Sequence, residues 1–403
     1  MLKGTTSIVA LVAACFVCGA AAAQDEQQQQ PDTSKPTAPA PQLASGLSLN
    51  PVPGAVSSAN APLDDPYPIE GAGWSRPLGR GYILSRWAED WRKDKAAGKA
   101  PPLKAMPLFG RDDIYLTLSG EIRLRSHFYD DGRLVKGNDY HEFQFRTVAG
   151  ADLHLGTHFR IYGELGHGTI EEEAKTAVNP ESAAEKNKIS VQQLFGEARD
   201  TIGGALVGAM VGRMEYVDGP KQLISVSEGP NLHRTWNGFR LYMHTDRFRI
   251  GYFQGKPTLQ NFGGFDEKID HTARINSVIA SVLAVRGGDA GNVFFDPLYI
   301  HSYNERGTSG PSTGLDRRDT YGARLWGRYG VLNFDWMAYK QSGDHIGQTV
   351  DAWMASFNQN ITIIPKWKLR IGARIDLASG NHNYTTTNTG TVYGFNPIYQ
   401  TRN

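Results

Sequence analysis

The chain has 403 residues, a net charge of +1 from 42 basic and 41 acidic side chains, 40% hydrophobic residues and a mean hydropathy of -0.41. Such a length admits one large domain or two ordinary ones, the hydropathy excludes a polytopic helical membrane protein, and the balanced charge argues against nucleic-acid binding. Both cysteines, Cys15 and Cys18, lie in the N-terminal leader, so a mature chain has no thiol for a disulfide or a metal.

In chain order, Lys3, the apolar run at 8–17 and Ala21-Ala22-Ala23 predict a signal peptide over residues 1–23. Val12-Ala13-Ala14-Cys15 offers a lipoprotein signal as the competing reading, but it leaves a short apolar core. Residues 24–64 are Gln-, Pro-, Ala- and Ser-rich and carry too little large apolar surface to fold, so disorder is expected there. Residues 65–112 form a periplasmic N-terminal segment. It holds a short helical pattern at 83–92, with Trp87 and Trp91 on one face at i, i+4. That pair reads as a plug or docking helix, or more simply as a helix packed on the base of a barrel.

From Ile114 the period becomes two. Ile114, Leu116, Leu118, Ile122, Leu124 and Phe128 alternate with Tyr115, Thr117, Ser119, Glu121, Arg123, Arg125 and His127, over more residues than soluble strands need. Similar alternation recurs around Phe143 to Leu155 and Trp367 to Leu377. Counting every candidate gives about 13 strands, near 114–128, 141–155, 159–168, 191–199, 205–216, 235–245, 247–255, 272–285, 293–303, 319–329, 331–341, 348–359 and 367–379. Tight connections such as Gly156-Thr157-His158 alternate with long polar ones at 129–140, 169–190, 217–234, 256–271 and 304–318. Short periplasmic turns opposite longer extracellular loops are the signature of a transmembrane antiparallel up-and-down β-barrel, an all-β fold, here over residues 113–403.

In the run at 205–216, Leu206, Gly208, Met210, Gly212 and Met214 share one face, and Val207, Ala209, Val211, Arg213 and Glu215 the other. A charged pair is costly against lipid, so the Met214 face is expected outward and Arg213 with Glu215 inward. An odd number of strands leaves an unpaired edge, and the segment after Ser379 ends without a closing strand. The chain is therefore expected to be incomplete at its C-terminus by about five strands.

With these residues in view, the chain from about Ile83 to Asn403 resembles the alginate export family of Gram-negative outer-membrane porins. The best-matching stretches are Arg86-Trp87-Ala88-Glu89-Asp90-Trp91, Val211-Gly212-Arg213-Met214-Glu215-Tyr216, the run from Asn231 to Leu241, the run from Gly372 to Gly380, and Gly394-Phe395-Asn396-Pro397-Ile398-Tyr399. The resemblance implies a barrel of about 18 strands whose arginine-lined lumen passes an anionic, uronate-type polysaccharide by facilitated diffusion. Lipid of the outer membrane and periplasmic secretion components are the further partners it implies.

The candidate pore lining is read from the polar faces: Arg213 first, for its place in the V-G-R-M-E motif, then Arg123, Arg125, Arg146, Arg160, Arg240, Arg324, Arg328, Arg370 and Arg374, with Glu215 and Asp376 among the interleaved acids. Guanidinium forks suit repeated carboxylates, and nearby acids keep binding weak enough for a polymer to move on. The plainer reading is that arginine-acid ladders only hold a charged wall together. No cofactor or metal is expected: the acids at 171–173 and Asp130-Asp131-Gly132 read as solvated loop groups. No G-x-S-x-G or comparable motif supports an enzyme, so an outer-membrane hydrolase is a weaker alternative than an uptake porin for small anionic nutrients, and an adhesive barrel is weaker still.

Overall fold

The computed structural model describes residue 82 and residues 86–172, 182–217, 222–245, 247–287, 290–309, 312–367, 369–381 and 390–400. The expected signal peptide and the Pro- and Gln-rich segment lie outside the described residues. The helix expected at 83–92 lies partly outside the described residues; its described part is a 3-10 turn at Arg86–Ala88 and a break before a short helix α1 at Arg92–Ala96. Between the two pieces, the Glu89 carboxylate accepts from Lys104 at 2.6 Å and from the Trp91 indole at 2.8 Å.

Among the described residues, sixteen strands form one sheet. The short ones are β1 (Met106–Leu108), β9 (Lys268–Ile269) and β16 (Thr391–Val392). The long ones are β2 (Arg111–Tyr129), β3 (Tyr140–Leu155), β4 (Phe159–Glu172), β5 (Asn187–Ile202), β6 (Ala205–Met214), β7 (Trp236–His244) and β8 (Phe248–Leu259). They continue with β10 (Ala273–Arg286), β11 (Asn292–Ser309), β12 (Ser312–Tyr329), β13 (Leu332–His345), β14 (Gln348–Ile364) and β15 (Leu369–Ala378). Each long strand pairs antiparallel with the next long strand in the chain, as an up-and-down wall requires. The shortest of them has 9 residues, which at a rise of about 3.3 Å per residue spans roughly 30 Å and suffices to cross a bilayer at a tilt.

The expected loop at 304–318 is a strand hairpin instead. β11 runs to Ser309, β12 starts at Ser312, and Thr308 pairs with Thr313. Gly307, Ser309 and Gly314 carry no apolar alternation, so ladder hydrogen bonds rather than side-chain burial extend these strands beyond the lipid zone.

Burial is inverted relative to a soluble protein. On β3, Gln144, Arg146, Asp152 and His154 are buried, while Phe143 and Leu155 are exposed. Ile122, Leu124, Leu194, Val211, Leu241, Ile371 and Ile375 are likewise exposed on the outer face, in the pattern of a lipid-facing wall.

Strand β6 corrects one expectation. Met210 and Met214 point inward, 2% and 1% exposed, whereas Val211 points out at 65%. The reason is that the interior is not uniformly polar. Met210 and Met214 pack in an apolar cluster with Trp87, Phe195, Leu223, Ile224 and Trp236. Three non-strand pieces supply that cluster from within: the turn Arg86–Ala88, the connection 215–235, and the segment 395–399.

Candidate functional site in the lumen

A chain of ion pairs ties two of the interior pieces to the wall. Arg86, on the N-terminal turn, reaches Glu164 of β4 at 2.8 Å and Glu121 of β2 at 2.6 Å. Glu121 also accepts from Arg146 of β3, with Nε at 2.8 Å. Arg146 in turn holds Glu228 of the 215–235 connection at 2.5 Å. The His233 ring closes the chain, with Nε2 at 2.5 Å from Glu228 and Nδ1 at 2.5 Å from Glu215. Arg123 adds bonds of 2.8 Å to the carbonyls of Glu228 and Pro230, and Arg125 one of 3.0 Å to that of Gly229.

The electrostatics follow from burial opposed by these partners. Burial alone would lower the His233 imidazolium, but Glu228 and Glu215 outweigh it and push the ring up to about 9. Burial would raise the Glu228 carboxyl, yet His233 and Arg146 hold it well below the usual range. For Arg86, burial opposes the charge and the Glu164 carboxylate more than restores it. The network therefore carries the cations Arg86, Arg123, Arg146 and His233 against the anions Glu121, Glu164, Glu228 and Glu215. It is a balanced lattice that ties Glu215 and residues 228–233 of the 215–235 connection to the wall.

The remaining expected lining residues divide into three groups. Arg160, Arg240 and Arg324 are inward but buried. Arg160 bonds Asp152 at 2.8 Å, Glu197 at 3.2 Å and the Trp87 carbonyl. Arg324 forks onto Asp335 at 2.7 and 2.6 Å and lies 4.5 Å from the Trp326 ring centroid, and Arg240 sits 5.5 Å from that of Tyr216. Arg160 and Arg324 thus belong to arginine-acid ladders of the wall.

Arg370, Arg374 and Asp376 form the second group. Register with Thr362, Asn358 and Ser356 puts them on the inner face of β15. The Arg374 and Asp376 side chains are 36% and 48% exposed and pair at 2.7 Å. Arg328 is half-buried beside the Gly291 turn.

Arg213 stands apart and corrects the first choice made from sequence. It shares the face of Val211, sits in register with Leu194 and Asn237, and donates to Asn237 at 3.0 Å and to Glu267 and the Val191 carbonyl at 2.8 Å. Glu267, from the loop after β8, supplies the carboxylate that makes an outward arginine tolerable. Glu215, one residue beyond the strand, does turn inward. Arg86, Glu228 and His233 were missed as site residues. No periodicity marks them, and the one signal available was that His233 and Arg86 fall within the family-like stretches.

Residues 114–402 match the sequence profile described as Alginate export. The chain belongs to the alginate export family. As a member of that family it is an outer-membrane β-barrel of a Gram-negative bacterium, and a porin. Solved structures to which the chain is similar include a BenF-like porin from Pseudomonas fluorescens Pf-5, at 9% identity and TM-score 0.40 over 67% of this chain and 85% of that one. Another is Pseudomonas aeruginosa OpdQ, at 11% identity and TM-score 0.39 over 68% and 84%. A third is Acinetobacter baumannii OccAB2, at 12% identity and TM-score 0.35 over 67% and 82%. A comparison with curated proteins found no match.

Proposed function

We propose that this alginate export family porin passes an anionic, uronate-type polysaccharide or oligosaccharide by facilitated diffusion. Its contacts with the polymer include Arg374, which pairs with Asp376 outside the interior lattice. The observation that carries this reading is the match of residues 114–402 to the alginate export profile, together with the Arg374–Asp376 pair and Arg370 on one face of β15, the strand that ends the sheet. A guanidinium paired to one acid can trade that acid for a passing carboxylate at small net cost, which permits movement. Membership of the family supports the same substrate class.

An uptake porin for small anionic nutrients is the second reading. The narrowing of the lumen by the 215–235 connection and the N-terminal turn favours it.

The test is the reversal potential in planar bilayers under a salt gradient, with and without a uronate oligomer. Anion selectivity, oligomer block, and loss of both in Arg370→Gln/Arg374→Gln are expected, whereas Arg213→Gln leaves selectivity unchanged. A cation-selective wild type overturns the proposal; block by small carboxylates and not by oligomers favours the second reading.

A further inference from the structure

We propose that the N-terminal arm, residues 86–105, is a plug that enters the lumen from the end of the short turns and must withdraw before a polymer passes. The inference rests on the transport reading above and adds a movable part to it.

The arm is held by side chains rather than by the sheet. Arg86 is buried and bridges Glu164 and Glu121, whose carboxylates belong to two different wall strands. Trp87 is 3% exposed and meets the Phe195 ring edge-on, with centroids 6.0 Å apart. Arg160 lies 5.7 Å from the Trp87 ring centroid and donates to the Trp87 carbonyl. Further along, Lys104, Glu89 and Trp91 form a cluster of their own, and Trp91 packs with Ala105 and Tyr115 of β2.

The backbone tells the same story. Among the described residues, the backbone–backbone hydrogen bonds of residues 86–102 stay within the arm, as from Glu89 to Arg86 and from Lys95 to Trp91. The ladder contact begins where Leu118 donates to the Leu103 carbonyl, just before β1 joins β2. The 215–235 connection differs, because it continues into β6 and β7 at its two ends. An arm fixed to the wall at β1 and gripped by ion pairs and two indoles, Trp87 and Trp91, can leave without breaking the sheet. Its withdrawal uncovers Arg160 and frees Glu121 from one of its two arginines.

A reversible lock tests this in the full chain, with Cys15 and Cys18 replaced by serine. Trp87→Cys/Phe195→Cys is joined by a bis-methanethiosulfonate linker and released by reductant, and single-channel conductance is recorded in salt alone. The locked pore is expected to hold one low level, and the released pore to visit a level roughly twofold or more higher. Equal conductance before and after release overturns the plug.

Arg86→Ala gives an independent reading that needs no linker. More frequent high-conductance openings are expected, and wild-type behaviour again counts against the plug. The uronate block is scored separately. A lock that works without block leaves the plug standing and removes the substrate, while block without a lock effect does the reverse.

Discussion

Replacing Arg146 probes the lattice at its centre. The side chain is 1% exposed and holds Glu121 and Glu228, each 24% exposed. Removing one partner of a buried pair costs about 3–5 kcal/mol. Partial access of water to both acids softens this to roughly 2–4 kcal/mol. Most of that loss falls on the 215–235 connection, since β3 keeps its ladders to β2 and β4.

Hydrogen exchange reads the loss directly at the Leu232 amide, bonded to the Ala184 carbonyl, and at the Arg234 amide, bonded to that of Val226. Arg146→Ala should speed exchange at both by roughly thirtyfold to a thousandfold, at about 1.4 kcal/mol per factor of ten. Adding Glu228→Gln should cost less than the sum of the two single changes by about 1–3 kcal/mol, because both act on one network. Exchange unchanged within about twofold, or strict additivity, would refute the reasoning.

Three further outcomes follow from the geometry. His233 is raised in the folded protein, so its contribution is complete below its ordinary value of 6.5 and disappears as pH rises through about 9. Glu228 is depressed, and its contribution is present above its ordinary 4.5 and lost on acidification. Loop protection should therefore plateau between these limits, and His233→Asn should remove the alkaline fall; an alkaline limb that survives the substitution contradicts this.

Gly212→Ala forces a side chain at φ +134, with its Cβ 2.3 Å from the Leu194 carbonyl oxygen. It should destabilise by about 1–3 kcal/mol or more in urea titrations in micelles. A neutral result would mean that β5 and β6 separate easily. Leu241→Arg, on the outer face, should cost about 2–4 kcal/mol in bilayers. A cost near zero there would indicate that this face is not against lipid.

Much of the wall was legible from the sequence because one physical rule governs it: alternate residues meet lipid and lumen. That rule located the thirteen long strands among the described residues, and placed the inward faces of β2 and β3. It failed at β6, where both faces are apolar near Met210 and Val211 and the inward one packs against Trp87 and Phe195. The charge rule then misplaced Arg213, whose outward position depends on Glu267, 54 residues away. The lattice itself was illegible for the same reason. Arg123 and Glu228 are separated by 105 residues, and nothing in the local pattern links a strand arginine to a loop acid.

That separation bears on how the molecule is assembled. Strand pairing joins near neighbours in the chain, so closing each hairpin costs little loop entropy and can start before distant segments exist. The interior contacts join residues as far apart as Arg86 and Glu164, Arg123 and Glu228, and Arg234 and Tyr399, the last pair 165 residues apart. The wall can thus form while its cavity is still wet. The interior pieces then fold into a mould already made, which puts the last dewetting step in the lumen and not at the lipid face.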